Sequence, residues 1–205
     1  MGLFTLANGT AEQLDIKEEA HEGADVNSVD FGAKQLLTAG DDGVRIWTIT
    51  AQGLDESPQF IVGEKGDITL WAAFSADGQY FASGSKNKST VTVYQKVSQA
   101  GAESFKEFNL LYGHKNSTQR GIFGPCGRQL VTVSSDATLR FWDLSGELAG
   151  KAELLTLPLP VRAFPPAPLW NFDFQCTPKG CWIAVPLLTG KLVIYELGSI
   201  YNCTP

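Results

Sequence analysis

Two aromatic ladders with a shared period constrain this chain more than any other feature. Phenylalanine recurs at Phe31, Phe74, Phe123 and Phe174, at spacings of 43, 49 and 51 residues, and a second aromatic recurs at Trp47, Tyr94, Trp142 and Tyr195, at spacings of 47, 48 and 53. Each rung sits in a short apolar run bounded by Gly, Asp, Asn, Ser or Pro, the pattern of strands and tight turns rather than of helices. A unit of that length cannot bury its apolar face alone, but a stack of such units can. The ladders therefore predict an all-β repeat fold.

The best-defined unit runs from Leu110 to Leu144 and reads as strand, turn, strand, turn, strand, with Pro125-Cys126-Gly127 and Ser134-Ser135-Asp136-Ala137 as the turns. Its Gly113-His114, Asp136 and Trp142-Asp143 resemble one repeat of the WD-repeat (WD40) family. That resemblance implies a β-propeller of four-stranded blades and a hydrogen-bonded tetrad, here His114, Thr132, Asp136 and Trp142. An indole N–H only donates and a carboxylate only accepts, so the imidazole and the hydroxyl can join them into one chain. Leaving a buried member unpaired costs roughly 1–3 kcal/mol, which makes the tetrad a lock on strand register and a structural use of His and Asp. The first repeat carries His21, Thr38, Asp41 and Trp47 at matching places, although the turn Gly40-Asp41-Asp42-Gly43 also offers Asp42. The second and fourth repeats lack the His and the Asp and have Tyr94 and Tyr195 for Trp, so packing is expected to hold them.

These repeats divide a single propeller domain, residues 1–205, into blades at about 20–62, 63–111, 112–156 and 157–205. Two short strands within residues 1–19 resemble the outer part of a further blade. The resemblance extends from about His21 to Leu197, with extra residues expected in loops at Ser98–Glu107 and Pro158–Pro168. Four repeats fit three assemblies: part of a larger ring, a closed four-bladed ring with residues 13–17 as its last outer strand, or assembly with a partner. The larger ring is the expectation. Within the family, FSADGQYFASGS and FGPCGRQLVTVSSDATLRFWD look most like the transducin-beta-like branch, which implies a scaffold held at the endoplasmic reticulum by an N-terminal anchor.

Charge bears on partners. The net charge is −6, yet residues 1–31 hold seven acidic side chains against one Lys, whereas residues 86–128 hold seven basic ones against Glu103 and Glu107. A charged partner would meet one side only. Four sparse cysteines without a secretory signal segment suit reduced thiols in the cytosol or nucleus, and the Cys176–Cys181 spacing has no neighbouring His to suggest zinc. No apolar run approaches about 20 residues, so no membrane insertion by this chain is expected.

No nucleophile-elbow, metalloprotease, P-loop or dinucleotide-binding motif is present, and both histidines are assigned to tetrads. The expectation is a protein without cofactor, metal site or catalysis that binds protein partners. Loops entering the first strands and joining the second to the third would offer Asp25, Asp67, Lys86, Lys88, Lys115, Arg120 and Trp170 on one rim, as plain solvated or packed residues or as contacts. RNA or ribosome contact through residues 86–128 is the alternative. In LPLPVRAFPPAPL, Arg162, Pro165 and Pro168 also match the +xxPxxP spacing of SH3-type ligands, against the plainer reading of a loop stiffened by proline.

Overall fold

Turn chemistry sets the hairpins. Ala76-Asp77-Gly78 and Pro125-Cys126-Gly127 each place a glycine at positive φ, +64° and +69°, a region costly for residues with a Cβ. The chain reverses there from first to second strand in two successive repeats.

The computed structural model describes residues 2–7, 10–16, 20–62, 68–99, 101–145, 152–160, 171–177, 180–187 and 189–198. Strands β1 (Gly2–Ala7) and β2 (Thr10–Ile16) form an antiparallel pair. Blade 1 follows with β3 (Val26–Phe31), β4 (Gln35–Gly40) and β5 (Gly43–Thr50), and with β6 (Gly53–Leu54) and β7 (Gln59–Val62) both paired to β5. Blade 2 contains β8 (Thr69–Phe74), β9 (Tyr80–Ser85), β10 (Val91–Gln99) and β11 (Ala102–Leu111). Blade 3 contains β12 (Thr118–Phe123), β13 (Gln129–Ser134), β14 (Thr138–Asp143) and β15 (Glu153–Pro158). Blade 4 shows β16 (Asp173–Thr177), β17 (Gly180–Pro186) and β18 (Leu192–Leu197). Every pairing is antiparallel, giving four successive blades of a β-propeller.

Both ladders fall on one row of each sheet. Phe31 pairs with Leu36 and Leu36 with Trp47; the same row reads Phe74, Phe81, Tyr94, then Phe123, Leu130, Trp142, then Phe174, Ile183, Tyr195. This row and its neighbours make one face of each blade, which in blades 2, 3 and 4 packs against the blade before it; in blade 1, Leu36 and Trp47 pack on Ala20 and Leu54. Ala72, Phe74, Phe81 and Tyr94 of blade 2 meet Leu37, Ala39, Val44 and Ile46 of blade 1. Phe123, Leu130 and Trp142 of blade 3 meet Trp71, Ala82, Val91 and Val93 of blade 2. Phe172, Phe174, Ile183 and Val185 of blade 4 meet Val131, Val133, Leu139 and Phe141 of blade 3. Apolar burial at these three joints, at roughly 25 cal/mol per Å², is what holds the blades in sequence.

Three expectations change. Ser98–Glu107 is no loop, because β10 and β11 run on as a long hairpin with Gln99 paired to Ala102. Leu157 and Pro158 belong to β15, Pro158 at its end where no further amide is required. Cys176 and Cys181 are not reduced thiols: they are direct cross-strand partners with Cα atoms 4.0 Å apart and form a disulfide. Among the described residues no helix is long and apolar enough to cross a membrane.

Candidate functional site

The rim that carries the tetrads is built from main-chain bonds repeated blade by blade. The Asp41 amide donates to the Asp25 carbonyl at 3.1 Å, the Lys86 amide to Ile68 at 2.8 Å, and the Ser135 amide to Ser117 at 3.0 Å. Each donor lies three residues beyond the second-strand position of Thr38, Ser83 or Thr132, and each acceptor lies in the loop entering the first strand. The two loops of blades 1, 2 and 3 are thus tied whatever side chains they carry.

Beneath this rim the blade 3 tetrad is complete. Trp142 Nε1–H donates to Thr132 Oγ1 at 2.9 Å, Thr132 Oγ1 and His114 Nε2 are 2.8 Å apart, and His114 Nδ1 lies 3.0 Å from Asp136 Oδ2. Because the carboxylate can only accept, the chain of bonds requires the Nδ1–H tautomer, with the threonine hydroxyl donating to Nε2. Burial lowers the His114 pKa and outweighs the nearby carboxylate, so the ring is neutral. At Asp136 burial works the other way, but bonds from His114, Thr138 and the Lys115 amide prevail and hold the carboxyl well below its usual range. Thr138 Oγ1 donates to Asp136 Oδ1 at 2.6 Å, and the Lys115 amide to Oδ2 at 2.8 Å. The carboxylate therefore also ties down the loop entering β12.

Blade 1 repeats the chain with Trp47, Thr38 and His21 at 3.0 and 2.8 Å. Its acid is Asp42, not Asp41. His21 Nδ1 lies 2.5 Å from Asp42 Oδ1, and the buried Arg45 grips the same carboxylate through both terminal nitrogens at 3.0 and 2.8 Å. Asp41 instead accepts the Asn27 amide at 2.7 Å. Asp42 lies four residues after Thr38, as Asp136 lies four after Thr132, and that spacing is the signal that separates the two acids. Burial lowers the His21 pKa as well. Both imidazoles are thus engaged at both nitrogens.

Blade 2 holds together differently. Phe81 and Tyr94 stack with ring centroids 4.4 Å apart, and Phe74 and Phe105 both meet Phe81 edge-on. Trp71, which nothing in the repeat pattern singled out, crosses the joint to blade 3. Its Nε1–H donates to Thr118 Oγ1 at 3.1 Å, and its ring fills the space that the absent side chains of Gly84 and Gly121 leave. A glycine in each blade, Gly84 and Gly121, is what permits so close an approach. In blade 4 the Tyr195 hydroxyl donates to the Pro158 carbonyl of blade 3 at 3.1 Å.

On the rim, Lys86, Lys88 and Lys115 are exposed over blades 2 and 3, while Glu22 and Asp25 are exposed over blade 1; Arg120 is exposed within β12, and its charge acts on Asp30 of blade 1. Asp67, Arg162, Pro165, Pro168 and Trp170 lie outside the described residues. At the opposite rim an open cleft of about 1040 Å³ separates blades 1 and 2, lined in part by Asp30, Lys34, Asp55, Asp77 and Lys96. Among the described residues no group of three His, Cys, Asp or Glu side chains is placed to hold a metal ion.

The family model for the WD domain, G-beta repeat, matches residues 14–48, 57–91 and 105–143. Similar curated proteins include the nuclear distribution protein PAC1-2 of Uncinocarpus reesii, 28% identical over 134 residues, which cover 56% of this chain and 28% of that protein. The nuclear distribution protein nudF of Aspergillus terreus is 36% identical over 141 residues, covering 58% and 29%. The ribosome biogenesis protein YTM1 of Podospora anserina is 26% identical over 129 residues, covering 62% and 26%. The chain thus spans under a third of the length of these relatives. With the three matched repeats covering more than half of its residues, and with two of its blades closed by the His, Thr, Asp and Trp bonds described above, the chain belongs to the WD-repeat family.

Proposed function

We propose that this chain is a non-catalytic interaction scaffold in a larger complex, and that the rim over blades 2 and 3 takes an acidic segment of a protein partner. The observation that carries this reading is the rim itself. Main-chain bonds fix its loops, Lys86, Lys88 and Lys115 stand exposed on it, and Arg120 stands exposed nearby within β12. A rigid support with exposed cations binds without reordering the loops and steers an oppositely charged partner toward one side. Both histidines sit in tetrads, which leaves the rim no imidazole for acid–base work.

The second reading is RNA or ribosomal contact through the same cations, favoured by the similarity to a ribosome biogenesis protein. A cytoplasmic or nuclear place of action accords with relatives named for nuclear distribution and ribosome biogenesis. Arg162, Pro165 and Pro168 remain a separate candidate for an SH3-type groove.

Fluorescence anisotropy with a Glu-rich peptide and with single-stranded RNA, each over a series of salt concentrations, separates the readings. Charge reversal at Lys115 and Arg120 is expected to weaken peptide binding and leave the melting temperature unchanged. Tight RNA binding with a salt slope of about −0.7 per phosphate contact would favour the second reading. Binding of neither probe would overturn both.

A further inference from the structure

The packed core of the joint between blades 1 and 2 stops short of the rim opposite the tetrads. The turns on that side are built of small residues, Gly32 and Ala33 in blade 1 and Ser75, Ala76 and Gly78 in blade 2. Nothing in them continues the cluster that holds Ile46 and Phe74, and an open cleft of about 1040 Å³ is left. It runs from Phe74 and Phe123, the last residues of the inner strands β8 and β12, out to Pro58 ahead of β7 and to Lys96 and Glu103 on the β10–β11 hairpin. Its walls face each other across a joint that the chain itself completes. The volume is at the upper limit of the roughly 300–1,000 Å³ typical of ligand pockets.

The charges of the cleft do not balance. Lys96 Nζ binds Glu103 Oε2 at 3.1 Å and lies 5.7 Å from the centre of the Phe105 ring, so these two charges cancel on their own hairpin. That leaves Asp30, Asp55 and Asp77 against Lys34. Asp30 Oδ2 accepts the Phe74 amide at 2.7 Å, and Asp55 Oδ1 accepts the Thr48 amide at 2.9 Å. Asp77 Oδ1 accepts the Ser75 hydroxyl at 2.6 Å and the Gln79 amide at 3.0 Å. Neutral donors therefore orient all three carboxylates, and among the described residues none of the three has an ion-pair partner. Asp30 is half-buried at the inner end, where Phe74 and Phe123 supply apolar lining. Burial pushes its carboxyl upward, against the amides of Phe74 and Phe31 and the charge of Arg120. A desolvated anion next to apolar surface is complementary to a cation carried on a methylene stem.

We propose that this cleft takes an arginine-bearing segment of a partner protein. The guanidinium meets Asp30, its stem lies on Ile46, Phe74 and Phe123, and basic residues flanking it pass over Asp55 and Asp77. Arginine suits the site better than lysine. A guanidinium is planar and weakly hydrated, and it offers its donors as a fork to both oxygens of a carboxylate. This site does not depend on the cationic rim above blades 2 and 3, which faces the other way. A frame with cations on one rim and an acidic cleft at the other can hold two partners of opposite charge at once.

Fluorescence anisotropy on the full 205-residue chain tests this, with a labelled Gly-Ser peptide containing arginine and the same peptide with lysine as probes. The arginine peptide is expected to bind the more tightly. Asp30→Asn keeps an acceptor for the Phe74 amide and is expected to weaken it about tenfold. Glu22→Gln combined with Glu196→Gln, at exposed acids outside the cleft, removes more charge and is expected to change affinity less than about twofold. Equal losses from the two sets would reduce the binding to general attraction by a chain of net charge −6 and overturn the site. Absence of binding would overturn it too, and equal affinity for the lysine peptide would overturn the guanidinium arrangement. Should Asp30→Asn misfold, the exposed Lys34 decides. Lys34→Ala is expected to tighten the arginine peptide about twofold by removing a like charge, and unchanged or weaker binding would sink the proposal.

Discussion

Trp71 Nε1–H in blade 2 donates to Thr118 Oγ1 in blade 3, whereas the same atom of Trp47 and of Trp142 donates to a threonine of its own blade. One indole donor thus serves two purposes in this chain, fixing register within blades 1 and 3 and fixing the joint between blades 2 and 3. Blade 2, which has no His-containing tetrad, is the blade that contributes the bridging indole.

Close packing around that indole makes Gly121→Ala severe. The new methyl group would collide with the Trp71 ring, which is buried and held by its bond to Thr118. A loss of about 1–3 kcal/mol is expected from overpacking. Trp71→Leu in the same background should restore part of it, so urea denaturation of the two single variants and the double is expected to show losses that do not add.

Trp142→Phe keeps most of the ring but removes the N–H, leaving Thr132 Oγ1 without its donor in a buried site. The expected loss is about 1–2 kcal/mol. Tyr94→Phe should cost less, since stacking on Phe81 survives the change. Equal losses, read from denaturant midpoints, would contradict the assignment of the lock to blade 3.

The two acids of the β4–β5 turn should separate cleanly. Asp42→Asn leaves the buried Arg45 with a weakened partner and His21 Nδ1 with a neutral one, and about 1–3 kcal/mol of stability should go. Asp41→Asn only replaces a partly exposed charged acceptor for Asn27 by a neutral one, a change worth under about 0.5 kcal/mol. Thermal melts of the two variants at one pH are sufficient.

Stability should fall on mild acidification. His21 and His114 titrate lower in the folded protein than in the unfolded chain, so below about pH 6.5 the unfolded state takes up protons first. Their contribution is whole above that pH and drains away as pH falls through the folded values, at no more than about 1.4 kcal/mol per pH unit for each histidine. Asp136, whose folded pKa is depressed, adds a second decline below about pH 4. Denaturation free energy measured from pH 8 downward should decrease over the first window, and a flat profile there would exclude neutral, buried imidazoles.

Much of this was legible in the sequence because the repeat writes the same residue into the same row four times. The Phe31 and Trp47 rungs needed no structure to be placed on first and third strands. Asp42 was harder, since the β4–β5 turn is one residue shorter than the β13–β14 turn and puts two acids side by side; only the count from Thr38 distinguishes them. Trp71 escaped because its partner lies in another blade, and a repeat pattern read within units carries no information about bonds between them. The β10–β11 hairpin looked like a loop because its polar, charged residues project beyond the packed part of the blade. Cys176 and Cys181 meet because the β16–β17 register sets them opposite each other, which spacing alone does not reveal.

The amide-to-carbonyl ties at Asp25, Ile68 and Ser117 have an evolutionary consequence. They draw on atoms common to every residue with an amide proton, so the letters written on the rim can drift while the surface they decorate keeps its shape. Mutation there explores new ligands at little risk to the fold, whereas mutation one layer down, at Thr38 or Thr132, puts folding at stake before recognition is touched. A lineage can therefore exchange partners many times over on an unchanged frame.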